Sequence, residues 1–545
     1  MGIPSSCTVR VERVSKVRPD KPSRERSIVF LTCCDLVCRS YPYINRIFFF
    51  KHEEGVDEAT QRLRAGLGRA LESFYPLAGK FCIDGEGRLQ VECSATTGAV
   101  GEGAMAECSG AEFVEAVCDM SYASLAEEGF QHHQVFWELA RRTHRLRCDY
   151  LDEPILSVQV TKFKDSGGFS VGVSMSHVVG DAQSFYDFVK CWGELCRGLT
   201  MTSPPVHMRT ALSVKALFPS EVVFPSEAIP GAKITLEKPQ QNGETHGKPQ
   251  SKESLSVGED LDELVKGMGK MEMDLLKKEV GRSVKKYTHP TSPRTQAPII
   301  EKQLEQEDHR RPRTDLVQKV FTFSVDSLQR LKQRVNSEHM KKDYAAMSEI
   351  SSKACNDQAQ VSKNGFFTTF EAFCAHWWRC FVRAKRLPAS QSVFLLIPIN
   401  CRQRYLDLPT SYFGNALDGA LVKLTAGDLC GADLADIAAE IHDAIKAATE
   451  EGFKQYIKEA EVKRNEIPHF DRTGLFHVVD SPKYPVYEVD FGFGIPEAVR
   501  AEGFRFGAEV QILASRLGPG SYDIFCAHDA ETMRRLQEDI AFLAL

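Results

Sequence analysis

The chain has no apolar run of membrane-spanning length, no C-x-x-C pair and no strong excess of either charge. A helix that crosses a bilayer needs about 20 consecutive apolar residues, so no transmembrane segment is expected. Without paired cysteines there is no framework for a structural zinc site, and no metal is expected. The 17 cysteines are scattered singly apart from "CCDLVC" at 33–38. Their odd number, with no apolar leader at the N-terminus, points to reduced thiols and a cytoplasmic location. A formal net charge of −6 over 545 residues gives no electrostatic reason to expect nucleic acid or an anionic membrane as partner. The opening "MGIPSSC" fits the loose M-G-x-x-x-[ST] myristoylation pattern, with Cys7 available for a second lipid, but the pattern is short and common by chance.

What is present is ordinary for a globular enzyme: 43% hydrophobic and 26% charged residues in a chain too long for one compact core. Three zones differ in texture. From Ser27 to about Leu199 strands and amphipathic helices alternate. "RIFFF" (46–50) reads as a buried strand, and "ATQRLRAGLGRALESF" (59–74) places Leu63, Leu67, Ala70 and Phe74 on one helical face. From about Phe224 to Thr314 the composition turns rich in Pro, Gly, Gln, Ser, Lys and Glu and poor in aromatics. One amphipathic piece, 261–280, is predicted as a marginal helix inside it. Order returns at 316–335, a strand followed by a helix. The expected division is therefore residues 1–224 as a first folded half, 225–314 as a disordered insertion, and 315–545 as a second half.

Two stretches contain a histidine four residues before an aspartate. In "VGVSMSHVVGDAQSF" (171–185), Phe169, Val171, Val173 and Met175 alternate with Ser170, Gly172, Ser174 and Ser176, a half-buried strand. Phe185, Phe188, Val189 and Trp192 then recur at helical spacing. Gly180 marks the bend, and Asp181 falls where a helix N-terminus favours a carboxylate. His177 is thus placed on a turn at a strand end, a usual way to present a catalytic group. A core histidine with Asp181 as a simple cap is the competing reading. "HMKKD" (339–343) lies in Lys-rich sequence with no strand before it and reads as a solvated coincidence.

Other segments decide between these readings. The 177–181 stretch resembles the H-x-x-x-D motif of the BAHD family of plant acyl-CoA-dependent acyltransferases. "DFGFG" (490–494) is similar to that family's D-F-G-W-G. "INCRQRYLDLPTSYFGNAL" (399–417) resembles its N-x-R segment followed by Y-F-G-N, and "LESFYPLAGKF" (71–81) its early helix and P-L-A-G turn. "FTTFEAFCAHWWRCFVRAKRL" (367–387) and "SPKYPVYEVDFG" (481–492) complete the set. The six matches occur in the family's order and leave out little but the insertion.

The resemblance implies an α/β fold of two similar, chloramphenicol-acetyltransferase-like domains with mixed sheets and a channel at their interface. It implies acyl-CoA as co-substrate with no permanently bound cofactor, a small-molecule alcohol or amine acceptor, and a monomer. Since an alcohol is a poor nucleophile until its proton is taken, His177 is the expected general base, and no acyl-enzyme is needed. Asp181 is expected to point away from the reacting atoms toward an arginine, with Arg402 the candidate. Asp490, Gly492 and Gly494 are expected to support the fold. Two departures, Phe493 for the usual Trp and Ala182 for the usual Gly, are mild. The rival from another class is a non-catalytic protein of the same fold acting as a partner in lipid or cuticle biosynthesis. A peptide-synthetase condensation domain and an E2 acyltransferase subunit are disfavoured, because Ser176 replaces a doubled histidine and no carrier or lipoyl domain fits. Ala416 after Y-F-G-N lowers the rank of malonyl-CoA, and Ser481 stands where shikimate-using members often carry Trp. A hydroxycinnamoyl-type or acetyl donor is expected.

Overall fold

The computed structural model describes residues 7–21, 27–51, 55–85, 87–93, 110–140, 151, 153–218, 315–350, 366–462, 474–504 and 507–545. The insertion 225–314, with the amphipathic piece 261–280, and residues 1–6 of the myristoylation pattern lie outside the described residues.

Two mixed six-stranded sheets organise the fold. The first is built from β1 (Val9–Val17), β3 (Ile44–Lys51), β6 (Ala111–Cys118), β7 (Leu156–Phe163), β8 (Gly168–Met175) and β13 (Ala498–Arg500). Their order is β1-β6-β7-β8-β3-β13, with β6 and β7 parallel and every other neighbour antiparallel. The second contains β9 (Leu316–Phe323), β10 (Ser392–Asn400), β11 (Leu417–Thr425), β12 (Leu475–Val479), β14 (Glu509–Ala514) and β15 (Tyr522–Asp529). Its order is β11-β10-β12-β14-β15-β9, parallel only from β10 through β12 to β14. A small antiparallel sheet joins β2 (Ser27–Val29), β4 (Lys80–Ile83) and β5 (Leu89–Cys93).

The apolar face expected on 59–74 exists: the Val56–Ser73 helix buries Leu63, Leu67 and Ala70, and Phe74 closes it. It lies against the Ala182–Cys196 helix at unusually short range. A Cβ on Gly66 would meet Cys196 Sγ at 2.2 Å, so the missing side chain at Gly66 is what lets the helices approach. Trp192 donates its indole N–H to Leu63 O at 3.0 Å across the same contact. In the second half the core gathers on the Thr369–Lys385 helix, started by a Thr368–Glu371 capping box and burying Trp377 and Trp378 completely.

Three expectations need correction. β8 was expected to be half-buried, yet all eight residues are buried. Its small-residue face is covered by the Gln134–Ala140 segment, which packs so closely that a Cβ at Gly172 would meet Leu139 O at 2.0 Å. Serine and glycine there mark a tight backbone approach instead of solvent. His339 is not freely solvated either; it sits in the Val325–Ile350 helix with its ring 4.8 and 4.9 Å from those of Phe366 and Phe367. Finally, a cut at 315 divides the chain but not the core. β13 pairs antiparallel with β3 of the first half, and Val486, Val489, Phe491 and Val499 belong to the first hydrophobic core.

Candidate active site

His177 follows β8 directly, in the turn that leads to the Ala182–Cys196 helix. Asp181 is the N-cap of that helix and accepts from Ser184 N at 3.0 Å. Its carboxylate is fully buried. Arg402, from the turn after β10, grips it with two bonds: Nη1 to Oδ2 at 2.7 Å and Nη2 to Oδ1 at 3.0 Å. Ala416 N donates to Oδ2 at 3.0 Å. Four donors occupy the carboxylate, leaving it no capacity to orient the imidazole. Burial alone would raise the Asp181 pKa, but the charge and hydrogen bonds of Arg402 outweigh it and hold the group below the usual carboxylate range.

Arg402 is itself buried and saturated. It donates to Tyr412 O at 2.9 and 3.0 Å, Gly414 O at 2.8 Å and Ser184 Oγ at 3.1 Å. The arginine thus ties the His-x-x-x-Asp turn of the first half to the Y-F-G-N segment of the second.

The group that does touch the His177 ring is Asn415. Its Oδ1 lies 3.2 Å from His177 Nδ1. Its Nδ2 donates to His177 O at 2.8 Å and to Asp35 Oδ1 at 3.0 Å. Both partners are pure acceptors, which fixes the amide orientation: the nitrogen faces them and the oxygen faces the ring. Nδ1 must then carry the proton, leaving Nε2 with a lone pair. Asp35 also accepts from Asn415 N at 3.0 Å and from Thr32 in a capping box, and it forms an ion pair with Arg209 Nη1 at 2.7 Å. A buried chain therefore runs Arg209–Asp35–Asn415–His177. Burial pushes the imidazole pKa below its ordinary value, against smaller opposing contributions from its own backbone carbonyl, Asp181 and Asn415.

Sequence reasoning did not find Asp35, Arg209 or Asn415 as site residues. Asn415 stands inside the quoted Y-F-G-N, and Thr32-x-x-Asp35 has capping-box spacing, so both left a signal. Arg209 left none.

Asp490, Gly492 and Gly494 are not with His177. Asp490 Oδ1 accepts from Gly492 N at 2.7 Å and Gly494 N at 3.1 Å, closing a turn whose glycines have φ of 96° and 81°. Its backbone carbonyl presses on Gly193, where a Cβ would lie 2.7 Å away. Gly193 is twelve residues beyond Asp181 on one helix, so the turn is ~18 Å along the axis from the histidine end. Phe493 packs beside Phe50 and Phe169 with the Arg62 guanidinium 5.2 Å over its ring, contacts that need no indole N–H.

Two mixed α/β sheets, with a histidine at a strand end of one half held through Asn415 of the other, define the class as a two-domain acyltransferase fold. The crystal structure of vinorine synthase is similar, with TM-score 0.62, 16% identity and 98% of each chain covered. The family model described as Transferase family matches residues 7–264 and 271–543, and the chain belongs to that family, the acyl-CoA-dependent BAHD acyltransferases. Among its relatives, BAHD acyltransferase DCR of Arabidopsis thaliana is 27% identical over 98% of this chain and 92% of its own length. A hydroxycinnamoyltransferase of Narcissus pseudonarcissus is 24% identical over 97% and 98%. Among the described residues no helix is long and apolar enough to cross a membrane.

Proposed function

We propose that the protein transfers a hydroxycinnamoyl-type or acetyl group from its CoA thioester to the hydroxyl or amine of a small metabolite, with His177 as general base. One observation carries the reading: Asn415 Oδ1 lies 3.2 Å from His177 Nδ1 while Asn415 Nδ2 donates to His177 O, an amide orientation that puts the proton on Nδ1 and leaves Nε2 as the basic nitrogen. In this mechanism Nε2 takes the acceptor proton as the oxygen or nitrogen attacks the thioester carbonyl. The tetrahedral oxyanion collapses with cleavage of the C–S bond, and CoA leaves as a thiolate that takes up the proton. Asp181 and Arg402 keep the turn in shape and take no proton. Similarity to hydroxycinnamoyltransferases of Narcissus pseudonarcissus and Oryza sativa supports an aromatic donor.

The test is release of free CoA by the purified protein, offered p-coumaroyl-CoA, feruloyl-CoA or acetyl-CoA with pooled alcohols and amines. His177→Ala should lower turnover by about 10²–10⁴-fold at unchanged folded yield. Retention of most of the turnover would sink the general-base assignment.

A further inference from the structure

Besides Asp181 and Asp35, the structure holds a third buried carboxylate that the acyl-transfer chemistry does not use. Asp480 follows β12 in a left-handed backbone conformation, φ 68°, which a non-glycine residue adopts at a cost, smaller for Asp than for most. Its side chain is 1% exposed. Oδ2 is occupied twice, by the Arg46 guanidinium and by Gln511 Nε2. Oδ1 is buried and receives no hydrogen bond, and neither does Oε1 of Gln511, whose side chain orientation is set by its donor facing Asp480.

This cluster is joined to the His-x-x-x-Asp turn. Arg46 Nε donates to Tyr186 Oη at 2.9 Å, and Tyr186 is on the helix that Asp181 caps, five residues on. Tyr186 stacks on Tyr484 at 5.0 Å, and Tyr484 feels the charges of both Asp181 and Asp480. The Asp480 charge also reaches the His177 ring. Two buried acceptors without donors are a costly arrangement for the protein alone.

We propose that Asp480 Oδ1 and Gln511 Oε1 bind a neutral hydroxyl of the acyl acceptor, one separate from the group that is acylated. The inference rests on the acyltransfer reading above. Charge decides between donor types. Asp480, Asp181 and Asp35 each already have a guanidinium, from Arg46, Arg402 and Arg209. An ammonium would add a buried charge beside a carboxylate that Arg46 already neutralises, whereas a hydroxyl supplies the missing donor at no change in charge. The acceptor class is therefore a diol or polyol, not an amino alcohol.

Binding is read by calorimetric titration of the CoA-saturated protein, which separates it from turnover. The probes are the α,ω-diols from 1,4-butanediol to 1,8-octanediol, each with its matched 1-alkanol and ω-amino alcohol. At least one diol should bind roughly tenfold more tightly than both counterparts, the gain of one hydrogen bond to a charged acceptor. Asp480→Leu should erase the preference. Because it leaves Arg46 buried without its anion, the double variant Asp480→Leu/Arg46→Met is the second arm, with folding verified by thermal melt. His177→Ala should keep the diol preference while losing CoA release. Equal binding of the three probes to the wild type, preference for the amino alcohol, or a diol preference that survives the double variant overturns the proposal. Turnover retained in His177→Ala overturns only the general-base reading.

Discussion

At His177 the surroundings disfavour the imidazolium, since the half-buried ring loses hydration and the nearby carboxylate is neutralised by Arg402. A general base must be unprotonated, so kcat/KM should fall as pH drops through the lowered pKa. The acid limb of the profile is expected at or below the ordinary imidazole value of ~6.5; a limb clearly above it would place a free carboxylate against the ring. The sign reverses for the role of Asp181. Its folded pKa is depressed, so the stability it contributes is present above the unfolded value near ~3.9 and is lost as pH falls below it. Asp181→Asn leaves Arg402 buried without its anion and should destabilise the fold by about 3–5 kcal/mol in urea unfolding. A variant that folds normally but is inactive would reassign Asp181 to the chemistry.

At the scale of elements, one helix does two tasks. Its N-terminus presents Asp181 to Arg402, and its C-terminal turn carries Gly193 against the carbonyl of Asp490. Gly193→Val should lower stability by about 1–3 kcal/mol, because the added carbons have only backbone to displace. The transferase rate per folded molecule should change far less, since the Asp490 turn is at the far end of the helix from His177. Phe493→Trp is a milder test of the same turn. An unchanged melting temperature is expected, because Phe50, Phe169 and Arg62 already enclose the ring.

For the whole molecule, the interlocking of the halves has a direct consequence. Residues 1–224 expressed alone would lack β13 and the core side chains Val486, Val489, Phe491 and Val499. They would also lack Asn415 and Arg402. The isolated first half should show no cooperative unfolding transition and no acyl-CoA turnover, and co-expression with 315–545 should restore both. Cooperative melting of the first half alone would show that the second contributes little to it. Replacing 225–314 by a short flexible linker should leave folding and turnover near intact, as expected from a composition that cannot bury enough apolar surface to offset chain entropy. Loss of soluble protein on that replacement would show that the segment packs on the rest.

Local pattern determined much of this in advance. Period-two alternation placed a strand before His177, helical spacing placed a helix after Asp181, and a capping carboxylate marked the bend between them, because these depend on residues within one or two turns of each other. The Asp490 turn was legible for the same reason, its three polar groups lying within five residues. What the pattern left open was decided by contacts across long sequence separation. Whether serines face water or a neighbouring backbone depends on what covers the sheet, and Gly172 is covered by Leu139. Which groups hold His177 depends on partners up to 238 residues away, and Asp35 meets Asn415 across 380. The Asp480–Arg46 pair spans 434 residues. No local periodicity encodes such meetings; they follow from strand order and from the requirement that a buried charge find its counter-charge.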